Sequence, residues 1–145
     1  MNMEQMIEIY PQRPHLVILG AGASKDSMPN GDAEGRPLPV MNEFISTLGL
    51  TDYIGRIEGV PKTENIEDVY SWLAKQEQFA EERFVVENEI REYFSNITLP
   101  NTLTKYDLLV LSLRQKDCIA TFNWDGLLVQ AYQRMQKITS DLPQM

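Results

Sequence analysis

The run His15-Leu16-Val17-Ile18-Leu19 is short and almost wholly apolar, with Pro11 and Pro14 before it and Gly20 after it. Val and Ile bounded by Pro and Gly favour a β-strand over a short core helix. Continuous apolarity, rather than alternation, predicts a strand buried on both faces, as in a parallel sheet. Gly20-Ala21-Gly22-Ala23-Ser24 follows directly. A doubly wound α/β fold carries its phosphate-binding turn at this position. There the first glycine permits a tight turn, the second lets a pyrophosphate approach the backbone, and free N–H groups at the next helix stabilise the anion. The fingerprint is incomplete, because its third glycine falls on Lys25. No acidic residue closes a clear second strand about 20 residues on, and the Gly-Lys-Ser/Thr ending of a P-loop is absent. Taken alone, the turn suits nucleotide binding and a purely structural strand-to-helix turn alike.

Residues 20–39 hold four of the eight glycines and three of the eight prolines, so most of this stretch reads as loop, with a short helical turn after Ser24. A loop longer than about 12–15 residues is uncommon unless it is functional or disordered, and this one is read as a binding loop. Helices follow. Met41, Phe44, Ile45 and Leu48 recur at helical steps over residues 39–48. Asn65 caps a helix on which Ile66, Val69, Tyr70 and Leu73 share a face. Residues 78–94 give the longest pattern, with Ala80, Phe84, Ile90, Tyr93 and Phe94 facing the core. Thr102 or Thr104 opens another helix carrying Tyr106, Leu109, Val110 and Leu113.

The second strand is expected at Cys118-Ile119-Ala120-Thr121-Phe122, leading into Asn123-Trp124-Asp125 and a last helix over residues 125–137. In open parallel sheets ligands bind outside the carboxyl ends of the strands, where this tripeptide falls. Asn123 offers an acceptor and two donors that can orient sugar hydroxyls or a water. Asp125 can stabilise positive charge, cap the helix, or do both. Asn and Asp at such a junction are also common caps and turn residues, and Trp124 reads as packing.

Together the two constellations resemble the Sir2-like family, in particular bacterial Sir2-like NAD-binding domains of the anti-phage defence type. The resemblance rests on Leu19-Gly20-Ala21-Gly22-Ala23-Ser24 and on Ile119-Ala120-Thr121-Phe122-Asn123-Trp124-Asp125 with Leu127, Leu128, Ala131 and Tyr132 behind it. It implies an α/β, Rossmann-like parallel sheet with a helical insertion. The parts are an N-terminal segment (1–14), strand and Gly-rich loop (15–39), insertion (40–115), strand and helix (116–139) and tail (140–145). It implies NAD as substrate or ligand, with Gly20, Ala21, Gly22, Ser24, Thr121 and Asn123 binding it and Asn123 and Asp125 as the catalytic pair. Pro29, Asp32 and the rest of the loop would cover the ligand. In full-length form such a domain hydrolyses NAD to nicotinamide and ADP-ribose. The alternative is a non-catalytic nucleotide-binding or protein-interaction module; a helical structural subunit is a third reading.

The family's histidine base follows a later strand, whereas the only histidine here is His15, at the wrong end of the first strand. The domain is therefore expected to be incomplete, and weak or inactive as this stretch, with a homo-oligomer or partner chain completing it as one explanation. Composition narrows the partners. Thirteen Lys and Arg against 21 Asp and Glu give a net charge of −8, which argues against a general nucleic-acid or polybasic membrane binder. Residues 58–92 hold 10 acidic and 4 basic side chains, so the surplus is concentrated on the middle helices as a solvated face. One cysteine excludes an intrachain disulfide framework and a Cys-rich zinc site, so no metal is expected and sirtuin-type deacylation is disfavoured. No apolar run approaches a membrane span and no secretory signal opens the chain, so a cytoplasmic location is expected.

Overall fold

The computed structural model describes residues 13–140. Strand β1 (Leu16–Leu19) pairs in parallel with β2 (Cys118–Thr121), Leu16 lying opposite Cys118 and Leu19 opposite Thr121. Everything between them is helix and loop, so the described chain is mixed α/β with a two-stranded parallel sheet. The in-phase register brings Gly20 and Phe122 out of the sheet at one level, and Phe122 N–H donates to Leu19 O at 3.1 Å. The two strand ends therefore deliver their following residues to the same place.

Helix α1 (Ala21–Ser27) starts immediately after Gly20, earlier than the sequence pattern indicated. Helices α2 (Phe44–Thr47) and α3 (Thr51–Ile54) are short, and the 3₁₀ turn Met41–Glu43 leads into α2. Pro39 and Val40 lie outside any helix, Val40 with extended backbone, which trims the helix expected over 39–48. Helix α4 (Ile66–Ala74) is capped as expected: Asn65 Oδ1 accepts the Glu67 N–H at 2.8 Å. Helix α5 (Ala80–Ser95) follows a 3₁₀ turn at Glu77–Phe79. Helix α6 (Lys105–Ser112) opens on Thr104 in a reciprocal capping box with Asp107, and α7 runs from Leu127 to Ser140.

The hydrophobic residues form two clusters. The first fills the insertion, with Phe44, Ile45, Leu50, Ile66, Val69, Leu73 and Val86 buried. The second joins Met28 and Leu38 to Ile97, Tyr106, Leu127 and Ala131. Phe94 packs against both. Helix α6, which the sequence pattern grouped with the insertion, thus packs with α1 and α7 beside the strands.

Two expectations fail. Neither face assignment of α5 survives for Ala80 and Phe84, which are exposed, while Val86 is the buried residue. Val86, Ile90 and Phe94 stand four residues apart and share one face, and Phe84 lies two residues from Val86, roughly on the opposite side. The other failure is β1. Leu16 and Ile18 are each 63% exposed, so this strand is covered on one face only. Alternation sends Leu16 and Ile18 to the side shared with Cys118 and Ala120, and among the described residues no element packs there.

Candidate functional site

The carboxyl ends of both strands open onto a cavity of about 200 Å³. Ala21 and Ser24 of α1 line one side, and Phe122, Asn123, Trp124 and Asp125 line the other. The far wall is aromatic: Trp124 meets Phe44 edge-on at a ring separation of 5.6 Å and Phe94 at 6.4 Å. Half of Trp124 remains exposed, so its packing and its place in the cavity wall coexist. Glu67 also reaches the lining, and among the described residues no Lys, Arg or His does.

Four polar side chains join at the mouth of β1 and β2. Ser24, only 2% exposed, donates from Oγ to Asp125 Oδ2 at 2.7 Å across 101 residues of sequence. Asn123 Nδ2 donates to Ser24 Oγ at 2.7 Å and to Tyr106 Oη at 3.1 Å. Tyr106 Oη stands 2.7 Å from Ser24 Oγ. The other Asp125 oxygen accepts the Leu127 N–H at 3.1 Å, so Asp125 satisfies the first free N–H of α7 while lining the cavity. Asn123 Oδ1 is buried with no hydrogen-bond partner. An unpaired buried acceptor costs about 1–3 kcal/mol, which makes this atom the least settled in the cluster. Burial pushes the Tyr106 hydroxyl above its ordinary pKa; the Ser24 hydrogen bond opposes this, the Asp125 charge reinforces it, and the Asn123 hydrogen bond again opposes it.

Ser24, Asn123 and Asp125, singled out from two distant motifs, therefore meet in one hydrogen-bonded group. Thr121 supports them indirectly: it is exposed, and its Oγ1 accepts the Asn123 N–H at 3.1 Å. Gly20 precedes α1 with extended backbone (φ −128°, ψ −179°), so no left-handed turn explains this glycine. Gly22 lies inside the first turn of α1 and is exposed, and a Cβ at either glycine would meet nothing within 4 Å. The tight-turn reason for the first glycine is thus replaced by open space above both. Lys25 turns away and pairs with Glu43 at 2.5 Å.

The loop after α1 is not a loose cover. Asp32 is buried and accepts the N–H groups of Glu34 and Arg36 and, across 66 residues, of Thr98, as well as the Arg36 guanidinium. Ala33 N–H donates to Thr98 O at 2.9 Å, and Tyr93 Oη donates to Pro37 O at 2.5 Å. Asp32 is occupied in shaping this loop, and neither it nor Pro29 lines the cavity, whereas Leu38 and Pro39 do. His15 stands at the amino end of β1, its Nδ1 3.0 Å from Arg114 Nη2 and its backbone N–H donating to Asp117 Oδ1 at 2.8 Å. It is at the opposite end of the strand from the cavity.

Tyr106 is the member that sequence reading assigned to the core alone. Its ring is indeed core, 3% exposed, yet its hydroxyl belongs to the cluster. The available signal was a tyrosine on an otherwise aliphatic face, since a buried phenol hydroxyl needs a polar partner. Among the described residues no group of three or more His, Cys, Asp or Glu side chains is arranged to hold a metal ion, and no helix is long and apolar enough to cross a membrane. No protein-family model matches the chain, and no curated protein matches it.

Proposed function

We propose that this chain binds NAD or a closely related nucleotide at the strand ends, as an α/β domain of the Rossmann-like, Sir2-like kind. The observation that carries the reading is the convergence of Ser24 with Asn123 and Asp125, residues from two motifs about a hundred positions apart, on the wall of one cavity. A cavity of about 200 Å³ lies below the ~300–1,000 Å³ of pockets that enclose a drug-sized ligand. It therefore suits one ring of a dinucleotide. Its aromatic walls and its carboxylates, with no basic lining residue, suit a ribose and a cationic ring better than a phosphate. The diphosphate belongs outside, over Gly20 and Gly22, where a glycine leaves room for close approach.

The chemistry that fits is cleavage of the bond between nicotinamide and ribose. The leaving nicotinamide takes the bonding electrons, and positive charge grows on the ribose, as in glycoside cleavage. Asp125 would stabilise that charge and Asn123 would hold the sugar or the attacking water. A non-catalytic binding module is the second reading, favoured by His15 lying at the far end of β1 with no other histidine in the chain. Calorimetry with NAD and ADP-ribose tests both readings. The folded chain should bind one nucleotide, and Asn123→Ala should weaken binding at least about tenfold, the scale of one hydrogen bond to a buried polar group. No heat with folded protein sinks both. A nicotinamide-release assay then separates them: slow release supports hydrolysis, and none in a protein that binds supports the module.

A further inference from the structure

Ser24 Oγ and Tyr106 Oη stand 2.7 Å and 3.1 Å from Asn123 Nδ2 and 2.7 Å from each other, so they lie on one side of the nitrogen and share one of its two hydrogens. Ser24 carries one polar hydrogen, and the Asp125 carboxylate, which only accepts when ionised, takes it. Tyr106 Oη lies 2.7 Å from Ser24 Oγ and faces an amide that donates to it, so its own proton goes to Ser24. Ser24 then makes one donation and two acceptances, the full capacity of a hydroxyl. The donations run from Asn123 through Tyr106 and Ser24 to Asp125. Turning the Asn123 amide over would set its oxygen against a Ser24 oxygen whose only proton is already committed. The amide is thus held one way round, and Oδ1 is the atom left without a partner.

We propose that Tyr106 is a positioning residue of this site: its hydroxyl, with Ser24, fixes the Asn123 amide so that Oδ1 is reserved for a hydrogen-bond donor of the ligand. The donor is a ribose hydroxyl or a carboxamide N–H; an ionised phosphate or carboxylate has no proton to give. The identity of that donor rests on the nucleotide reading above, while the grip itself does not. Tyr106 is built for the task. Its backbone N–H donates to Ser27 Oγ at 3.0 Å, and its ring packs in the core with Leu127 and Ala131, so the hydroxyl is carried by a fixed frame. Phe would fill the same volume.

The test is the solvent exchange of the Asn123 side-chain amide protons, followed by NMR. Tyr106→Phe keeps the ring and removes one of the two acceptors, and exchange should accelerate by about tenfold or more, the scale of a lost buried hydrogen bond. Equal exchange in Tyr106→Phe and the parent overturns the grip. Should that variant fail to fold, Ser24→Thr, which keeps a hydroxyl, is compared with Ser24→Ala. Protection retained only in Ser24→Thr supports the proposal, and equal exchange in the two overturns it. A titration with NAD reads the reserved acceptor. Binding by Tyr106→Phe about tenfold weaker than the parent supports it, on the same scale of one hydrogen bond, and equal binding overturns it. A folded parent that takes up no NAD removes the nucleotide reading, and the exchange comparison still decides the role of Tyr106.

Discussion

A Cβ placed on Gly31 would stand 2.6 Å from Arg36 O and 2.8 Å from Gly35 O, at a backbone φ of +88°. Both the overlap and the left-handed conformation demand glycine there. Gly22 is the opposite case, with negative-φ helical backbone and open space. Gly31→Ala should therefore lose more than ~1 kcal/mol of unfolding free energy. Gly22→Ala should gain about 0.5–1 kcal/mol as a helix substitution and at the same time weaken nucleotide binding. Urea unfolding and calorimetry on the two variants check this; a Gly22→Ala protein that binds as tightly as the parent would remove the glycine turn from the site. The residues of the candidate site are legible where a motif is local: a glycine pair after a strand and Asn-Trp-Asp after another each announce themselves. Tyr106 was not, because helical spacing reports which face is buried and says nothing about the hydroxyl's partner. That partner, Ser24, lies 82 residues away and arrives only when α6 packs on α1.

Helical elements with a cap or a clean four-residue spacing are legible in kind: Asn65 caps where expected, and of the two candidate threonines it is Thr104, not Thr102, that caps α6. The error on α5 has a physical source. Its hydrophobic residues do not form one stripe, and tertiary contact with Phe44 chooses the Val86–Phe94 side over Phe84. The loop after α1 reads as a binding loop by composition and as a ligand cover by the family resemblance, yet a single buried carboxylate organises it. Burial raises the Asp32 pKa, but the Arg36 guanidinium and the N–H groups of Arg36, Thr98 and Glu34 outweigh it, holding it below 3.8. Asp107 behaves likewise: burial raises it, and Arg134 and Thr104 pull it down further than burial lifts it. At the amino end of the strands, Arg114 and the His15 N–H hold Asp117 far below the ordinary range. A carboxylate with a depressed folded pKa lends stability that is present above its unfolded value and lost as pH falls through the folded one. Thermal melts should therefore show no loss from these groups near neutrality and a steep loss below about pH 3.8. Asp32→Asn should flatten part of that loss; an unchanged acid profile would contradict the assignment of Asp32 to the loop.

Across the whole molecule, the distant feature that sequence anticipated is the parallel pairing of β1 with β2 after a long crossover, since continuous apolar strands separated by helices imply it. The coverage of the sheet was not legible, because an apolar strand reads the same whether both faces or one is packed. Cys118 reports on the open face. It is exposed and lies opposite Leu16, so in native protein it should react with a small thiol reagent about as fast as in unfolded chain. Strong protection would mean that the face is covered in solution. The cavity at the other end of the same strands carries the functional claim, and it faces a competing groove of about 520 Å³ in the insertion, lined by residues such as Ile45, Ile54, Ile57 and Val60. Backbone amide NMR during a titration with NAD distinguishes the two directly. The account predicts shifts concentrated on residues 20–24 and 121–127 and on Tyr106, and quiet signals over residues 51–64. Shifts confined to residues 51–64, or none at all in a folded sample at millimolar NAD, would contradict it.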